Sequence, residues 1–320
     1  MPKLAYVRPY DSPGYTRVRR GGTQQYRDAR GRAVPASTRA RLESLVVPPA
    51  WTEVWLATNP AAHILAVGLD EAGRRQYIYH PDWRRQRDDE KFERALALAR
   101  ALPAARRRAS VRLAAPALSR EKVLATGFRI LDLTAMRIGG EEYATTNGSR
   151  GLCTLLCRHV RVDGDTVTFE FLAKSRQRAS ISTHDRVLAH AVAELLDGRG
   201  GASRLLAWRD GRARRPARTA DINSFIRECT GSDFTAKDFR TLTATSVAAA
   251  ALPAVPPQGI REIQAAILEA TRAAAAVLGN TVAVARGSYI HPAVFELFAA
   301  GHTVGGSRST SALLSLLARQ

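Results

Sequence analysis

A chain of 320 residues with 45% apolar content is long enough for two domains and ordinary for a globular protein. Its 48 Lys and Arg against 29 Asp and Glu give a formal net charge of +19, which points first to a polyanionic partner, nucleic acid above all. Three cysteines (Cys153, Cys157, Cys229) exclude a disulfide framework, the N-terminal "MPKLAYVRPYDSPG" has no apolar signal core, and the run "VAAAALPAV" is short and broken by Pro253, so a cytoplasmic protein away from membranes is expected.

The first forty or so residues, including "YTRVRRGGTQQYRDARGRAVP", lack helical periodicity and read as a basic arm or short strands. Next come "TEVWLAT", "HILAVGLD" and "RRQYIYH", β-branched or aromatic runs separated by turn signals, which predict a small antiparallel β domain. Alternation in the last run places Gln76, Ile78 and His80 on one face and Tyr77 and Tyr79 on the other, which fits either a face offered to a duplex or a half-buried strand with no ligand.

From Asp88 the pattern turns helical. "DDEKFERALALARALPAARRR" has helical propensity, and "SREKVLATGFRILDLTAMRIGG" has a Ser119 cap and a Gly139-Gly140 stop. The domains are therefore expected at 1–88 (β-rich) and 89–320 (mainly helical). Inside the second lies a β insertion: "LLCRHVRV", the turn Asp163-Gly164, "TVTFEFL", then "AKSRQRASIST", with Lys174 in the turn that follows. Cys153 and Cys157 fit a sheet core better than a zinc site. Helices resume with "DINSFIREC", with "TAKDFRTLTATSVAAAAL", where Thr235 and Asp238 are spaced as a capping box, and with "REIQAAILEATRAAAAVLG". In "VARGSYIHP", Gly287 and Pro292 bracket Tyr289, so the phenol is expected at a break between helices. The tail "GHTVGGSRSTSALLSLLARQ" mixes linker composition with a short Leu-rich helix.

Arg137, Lys174, Arg240, Asn280 and Tyr289 are each unremarkable in an Arg-rich chain, but together they match one chemistry. Attack of a phenol on a phosphodiester builds charge on the non-bridging oxygens, which two guanidiniums and a further donor (Arg137, Arg240, Asn280) would meet. The departing sugar oxygen needs a proton, which a Lys at position 174 would donate, and neighbouring cations favour the phenolate. There is no G-x-x-x-x-G-K-[ST] loop and no acidic cluster spaced for a metal pair, so no metal or cofactor is expected.

The motifs "PPAWTEVW", "GRRQYIYHPDWRRQRDDEKF", "MRIGGEEY", "TLLCRHVRV" with "FLAKS", "KDFRTLTAT" and "LGNTVAVARGSYIHP" carry a resemblance. The chain resembles the type IB DNA topoisomerases of the compact bacterial and poxvirus-like branch, from about "LVVPPAWTEVWLAT" through "GSYIHP". The resemblance implies an α+β protein whose two domains form a clamp around double-stranded DNA. It implies supercoil relaxation through a 3′-phosphotyrosyl intermediate, strand rotation and religation, without ATP or obligatory metal, by a nucleoid-associated monomer. It also implies Arg137, Lys174, Arg240 and Tyr289 as catalytic, Lys237 close to the site, and Tyr143, Gln76 and Tyr77 against DNA. One departure is Asn280, where poxvirus-type members have His; Asn donates a hydrogen bond but can neither carry charge nor move a proton. Two rivals remain open at this stage. A tyrosine recombinase shares the chemistry, although its usual H-x-x-R stands here as "KDFR". A non-catalytic DNA-binding protein explains the charge but not the five-residue set.

Overall fold

The structure is a computed structural model that describes residues 3–20 and 23–319; the side chains of Arg20, Tyr143 and Ser175 lie outside the described residues. Two compact units divide the chain, Met1–Glu90 and Lys91–Gln320. The first is β-rich and the second mostly helical, an α+β architecture.

The first unit is a five-stranded antiparallel sheet in the order β2-β1-β3-β4-β5. Its elements are β1 (Gly14–Arg20), β2 (Thr23–Arg27), α1 (Ala36–Glu43), β3 (Thr52–Ala57), β4 (Ile64–Leu69) and β5 (Arg75–Tyr79). The three runs read as strands are therefore strands, and the N-terminal arm joins them as β1 and β2. Alternate residues supply two cores: Val54, Leu56 and Ala66 pack with Leu42 of α1 on one face, while Trp55, Ala57 and Val67 pack together on the other. Gly14 has to be glycine, because a Cβ there would sit 1.9 Å from the Trp55 indole nitrogen.

A 33-residue helix, α2 (Pro81–Leu113), leads into the second unit. It begins at Pro81 rather than near Asp88, since proline at a first helical position loses no hydrogen bond and has its φ preset. Next come α3 (Arg120–Thr134) and α4 (Glu141–Thr146). The Ser119 hydroxyl caps α3, accepting from the Lys122 N–H at 3.2 Å. The helix stops earlier than the Gly139-Gly140 pair suggested, at Ala135, which takes a left-handed φ of 49°. A buried alanine in that conformation is strained, so its surroundings must hold it there.

The β insertion is a three-stranded antiparallel sheet, β6 (Val160–Asp163), β7 (Thr166–Leu172) and β8 (Arg178–His184), with Gly164 at φ 54° in the first turn. The strand expected from "LLCRHVRV" starts only at Val160. Before it the chain turns through two short 3-10 segments, because the Cys157 and Leu205 N–H groups bond Ser203 and Leu155 carbonyls and tie this stretch to a following loop. Cys153 and Cys157 are buried in these turns and not in a sheet, and burial pushes the Cys153 thiol up to about 12, an inert group.

The remainder is α5 (Arg186–Leu196), a hairpin of β9 (Ala207–Asp210) and β10 (Ala213–Pro216), then α6 (Thr219–Thr230), α7 (Ala236–Ala251), α8 (Ile260–Leu278), α9 (Val282–Ser288), α10 (Ala293–Ala299) and α11 (Thr310–Leu317). The fully buried rings of Phe128 on α3 and Phe239 on α7 meet edge to face at 5.6 Å, fixing the helix that carries Arg137's loop against the helix that carries Arg240. Within the tail, Leu313, Leu316 and Leu317 of α11 enter the main core. No single helix among the described residues is long and apolar enough to cross a membrane.

Candidate active site

Four of the five proposed catalytic residues converge in the second unit, and the convergence is built from helix ends. Helix α7 starts with Asp238 Oδ2 accepting from the Thr235 N–H at 2.8 Å, and Arg94 pairs with the same carboxylate at 3.1 Å. One turn further on, Arg240 is buried, with 6% of its surface exposed. Its guanidinium donates to the carbonyls of Ala135 (2.8 Å) and Leu278 (3.0 Å). The strained Ala135 thus has a use: its left-handed turn presents a carbonyl to Arg240.

Arg137 follows two residues later in the same loop. It donates to the Gly279 carbonyl at 3.3 Å, lies 3.5 Å from the Leu278 carbonyl, and bonds the side-chain oxygen of Asn280. The end of α8 and the two residues after it supply the three acceptors, because Gly279 at φ 58° ends the helix in a left-handed cap and sends Asn280 back across the helix end. The Arg137 backbone is fixed as well, its carbonyl accepting from the Leu152 N–H at 2.9 Å. Gly151 permits that crossing, since a Cβ on it would lie 2.4 Å from the Arg137 carbonyl oxygen.

Tyr289 lies between α9 and α10, the helix break its flanking Gly287 and Pro292 suggested. Thr245 of α7 donates to its carbonyl at 3.2 Å, and the Arg240 guanidinium lies 5.3 Å from its ring centre. Helix α7 therefore both holds the Tyr289 backbone, through Thr245, and carries Arg240 beside the Tyr289 ring.

Every hydrogen-bond partner of Arg137 and Arg240 among the described residues is a neutral oxygen. Burial first and Arg137 second hold the Arg240 guanidinium below its ordinary range, with Tyr289 acting the other way. Among the described residues, no carboxylate bonds either guanidinium. Arg240 Nε and Asn280 Nδ2 are both buried with no hydrogen-bond partner among the described residues. These are open donors awaiting an acceptor.

A cavity of about 180 Å³ lies against this group, lined by Arg137, Arg240 and Gly279 on the helical side and by Ala173, Gln177 and Arg178 on the β side. Lys174 sits between the last-named elements, in a 3-10 turn joining β7 to β8, but it is exposed and does not line the cavity. The structure thus brings four of the five residues together and leaves Lys174 at the margin.

Matches to known proteins cover both units. The sequence profile of the eukaryotic DNA topoisomerase I catalytic core matches residues 80–300, and that of the bacterial DNA topoisomerase IB N-terminal domain matches residues 24–70. A protein of Acanthamoeba polyphaga mimivirus named DNA topoisomerase 1B is 30% identical over 267 residues, spanning 81% of this chain and 79% of the relative. The chain belongs to the type IB DNA topoisomerases.

In this family member the residues expected against DNA are spread out. Lys237 is exposed on the first turn of α7, before Arg240. Tyr143 falls in α4, its side chain outside the described residues. In the first unit, Tyr77 and Tyr79 are exposed and stack at 5.7 Å, while Gln76 points to the opposite face and donates to Asp70 at 2.9 Å. Arg74 holds the Asp70 carboxyl down at about 2, so this turn keeps its charge and its grip on Gln76. Sequence reasoning missed the residues that position the site, Thr245 and the Leu278 carbonyl, because a main-chain acceptor has no side-chain signature. It also missed Arg150 and Arg178, which line the cavity but are lost among many arginines.

Proposed function

We propose that Tyr289 is the nucleophile by which this type IB topoisomerase relaxes supercoiled DNA. Its phenolic oxygen attacks a backbone phosphorus, the bond from phosphorus to the 5′ oxygen breaks, and the enzyme is left joined to a 3′ phosphate. The phenol proton passes to solvent, and the departing 5′ oxygen takes a proton from Lys174. The free strand rotates, and the 5′ hydroxyl attacks the phosphotyrosine to reseal the backbone. One phosphodiester is exchanged for another, so no nucleotide is consumed.

One observation supports this reading above the rest: Arg240 Nε and Asn280 Nδ2 are buried, unpartnered donors in a site whose cations meet only neutral oxygens. A phosphorane with two charged non-bridging oxygens supplies what they lack. Asn280 cannot titrate at working pH, so it acts as a donor and not as an acid. Lys237, on the exposed start of α7, neutralises phosphate nearby. Tyr77 meets the duplex from β5 of the first unit and Tyr143 from α4 of the second, while Gln76 reaches it from the opposite face of β5, where it is bonded to Asp70. Both units hold the duplex as a clamp, and the protein acts as a monomer on nucleoid DNA. The test is relaxation of positively and negatively supercoiled plasmid with chelator present and no ATP. Full relaxation is expected, and an absolute dependence on magnesium would contradict the reading. Strand exchange between two sites without plain relaxation would favour a recombinase.

A further inference from the structure

Arg94 stands outside the catalytic set, yet it reaches across 144 residues of sequence to the start of the helix that carries Arg240. It lies on α2, which begins in the first unit at Pro81 and runs on into the second. Its Nε donates to Asp238 Oδ1 at 3.3 Å and its Nη2 to Asp238 Oδ2 at 3.1 Å. The same Nη2 donates to the Asp233 carbonyl, and the guanidinium lies 5.7 Å from the centre of the buried Phe234 ring. One planar fork thus ties together the turn before α7 and the first turn of the helix itself.

Asp238 is not held by its own helix alone. It is a buried carboxylate, and a charge in that position needs partners on both oxygens. Oδ2 accepts from the Thr235 N–H at 2.8 Å and from the Thr235 hydroxyl at 3.1 Å. Oδ1 accepts from Arg94 and from no other donor among the described residues. Asn223 of α6 accepts from the Ala236 N–H at 3.1 Å, one of the donors that a helix start leaves free. The first turn of α7 is therefore fastened from outside by two elements, α6 at Ala236 and α2 at Asp238.

We propose that Arg94 is a positioning residue for the reaction: its two-pronged bond to Asp238 fixes the first turn of α7 and, through it, aims Arg240. The proposal rests on the reading of Arg240 as a donor to the non-bridging oxygens. Arg240 stands two residues beyond Asp238 and must reach carbonyls on two separate segments, Ala135 after α3 and Leu278 at the end of α8, at 2.8 and 3.0 Å. Hydrogen bonds tolerate only a few tenths of an ångström, so a small rotation of α7 about its axis takes the guanidinium off one acceptor or the other. Arg94 does not line the cavity, and its bonds run to Asp233 and Asp238 rather than to Arg137, Arg240 or Tyr289. Its action on the site therefore passes through α7.

The experiment is a double-mutant cycle in the full-length chain, read as single-turnover cleavage at saturating enzyme, at a temperature where circular dichroism shows every variant fully folded. Arg94→Ala should slow cleavage roughly tenfold, the size of coupling expected inside one hydrogen-bond network. In an Arg240→Ala background the same change should slow it by less than about twofold, because the residue through which Arg94 acts is gone. Defects that multiply in full would overturn the proposal, since a general loosening of the fold does not depend on Arg240. DNA affinity and its salt slope, measured in the Tyr289→Phe background, should match the parent. A slope flattened by about 0.9 would make Arg94 a phosphate contact and overturn the proposal as well. Parent-rate cleavage by Arg240→Ala alone would defeat the underlying reading and this proposal with it; with Arg240→Ala slow, the other results bear on Arg94 alone. Should Arg94→Ala fail to fold, Arg94→Lys decides, because it keeps a cation beside the buried carboxylate but not the fork. Its cleavage should be slowed several-fold, and only where Arg240 is present. A parent rate, or a defect that persists in the Arg240→Ala background, would overturn the positioning role.

Discussion

On the helical side of the cavity, Arg240 is buried and held by two main-chain carbonyls, and Arg137 is held by the end of α8. On the β side, Lys174 is exposed on a turn and makes no hydrogen bond or ion pair among the described residues. The contrast separates two chemical tasks. Donors that meet charge as it develops act best when fixed in advance, because no reorganisation is then needed at the moment of reaction. A proton donor must reach a particular oxygen, and substrate can complete its placement.

The largest effect should come from removing the attacking atom. Tyr289→Phe should bind DNA nearly as the parent does and form no covalent complex, as read on denaturing gels. Labelling each DNA end in turn should show protein on the 3′ phosphate of the parent's complex; protein on the 5′ end would break the assignment. Next in size, Arg137→Ala and Arg240→Ala should each slow single-turnover cleavage by at least roughly a hundredfold at saturating enzyme. Arg240→Ala should also lower the denaturant midpoint, because a buried carbonyl left unpaired costs about 1–3 kcal/mol. A loss of affinity with the cleavage rate intact would remove the charge-stabilising role.

Gly151→Ala tests the frame without touching the site's donors. The added Cβ would lie 2.4 Å from the Arg137 carbonyl oxygen and 2.6 Å from the Gly139 nitrogen, main-chain atoms that cannot swing aside. A stability loss of about 1–3 kcal/mol is expected, with slower cleavage because Arg137 moves. Parent-like cleavage would show that this crossing does not set Arg137. Smallest of the four, Asn280→Ala should slow cleavage by about tenfold, the scale of one neutral donor. It should do so without changing the salt dependence of binding, since no charge is removed.

Much of this contrast was legible in the sequence and some was not. The Thr235 and Asp238 spacing located the start of α7, and the Gly279 stop located Asn280, because caps and left-handed turns demand particular side chains. Strands β3 to β5 showed in their β-branched and aromatic runs. The end of α3 did not show, because Ala135 has no residue-type signal for a left-handed φ and is held there by contacts distant in sequence. The 3-10 turns around Cys153 and Cys157 were hidden for the same reason: their hydrogen bonds run to a loop some fifty residues away, while the local pattern favours a strand. The margin position of Lys174 was visible only as a turn, without its distance from the four converging residues.

The division between a fixed helical wall and a free proton donor is tested most directly by changing the leaving atom. Substituting sulfur for the bridging 5′ oxygen makes the leaving group a thiolate, whose parent thiol has a pKa of about 8.5 and departs without a proton. With this substrate Lys174→Ala should cleave at close to the parent rate, although it is slow on ordinary DNA. Arg137→Ala and Arg240→Ala should stay slow on both substrates, because the role proposed for their donors is at the non-bridging oxygens. Equal defects of Lys174→Ala on oxygen and sulfur substrates would contradict the account, making Lys174 one more fixed charge and not the donor of the proton.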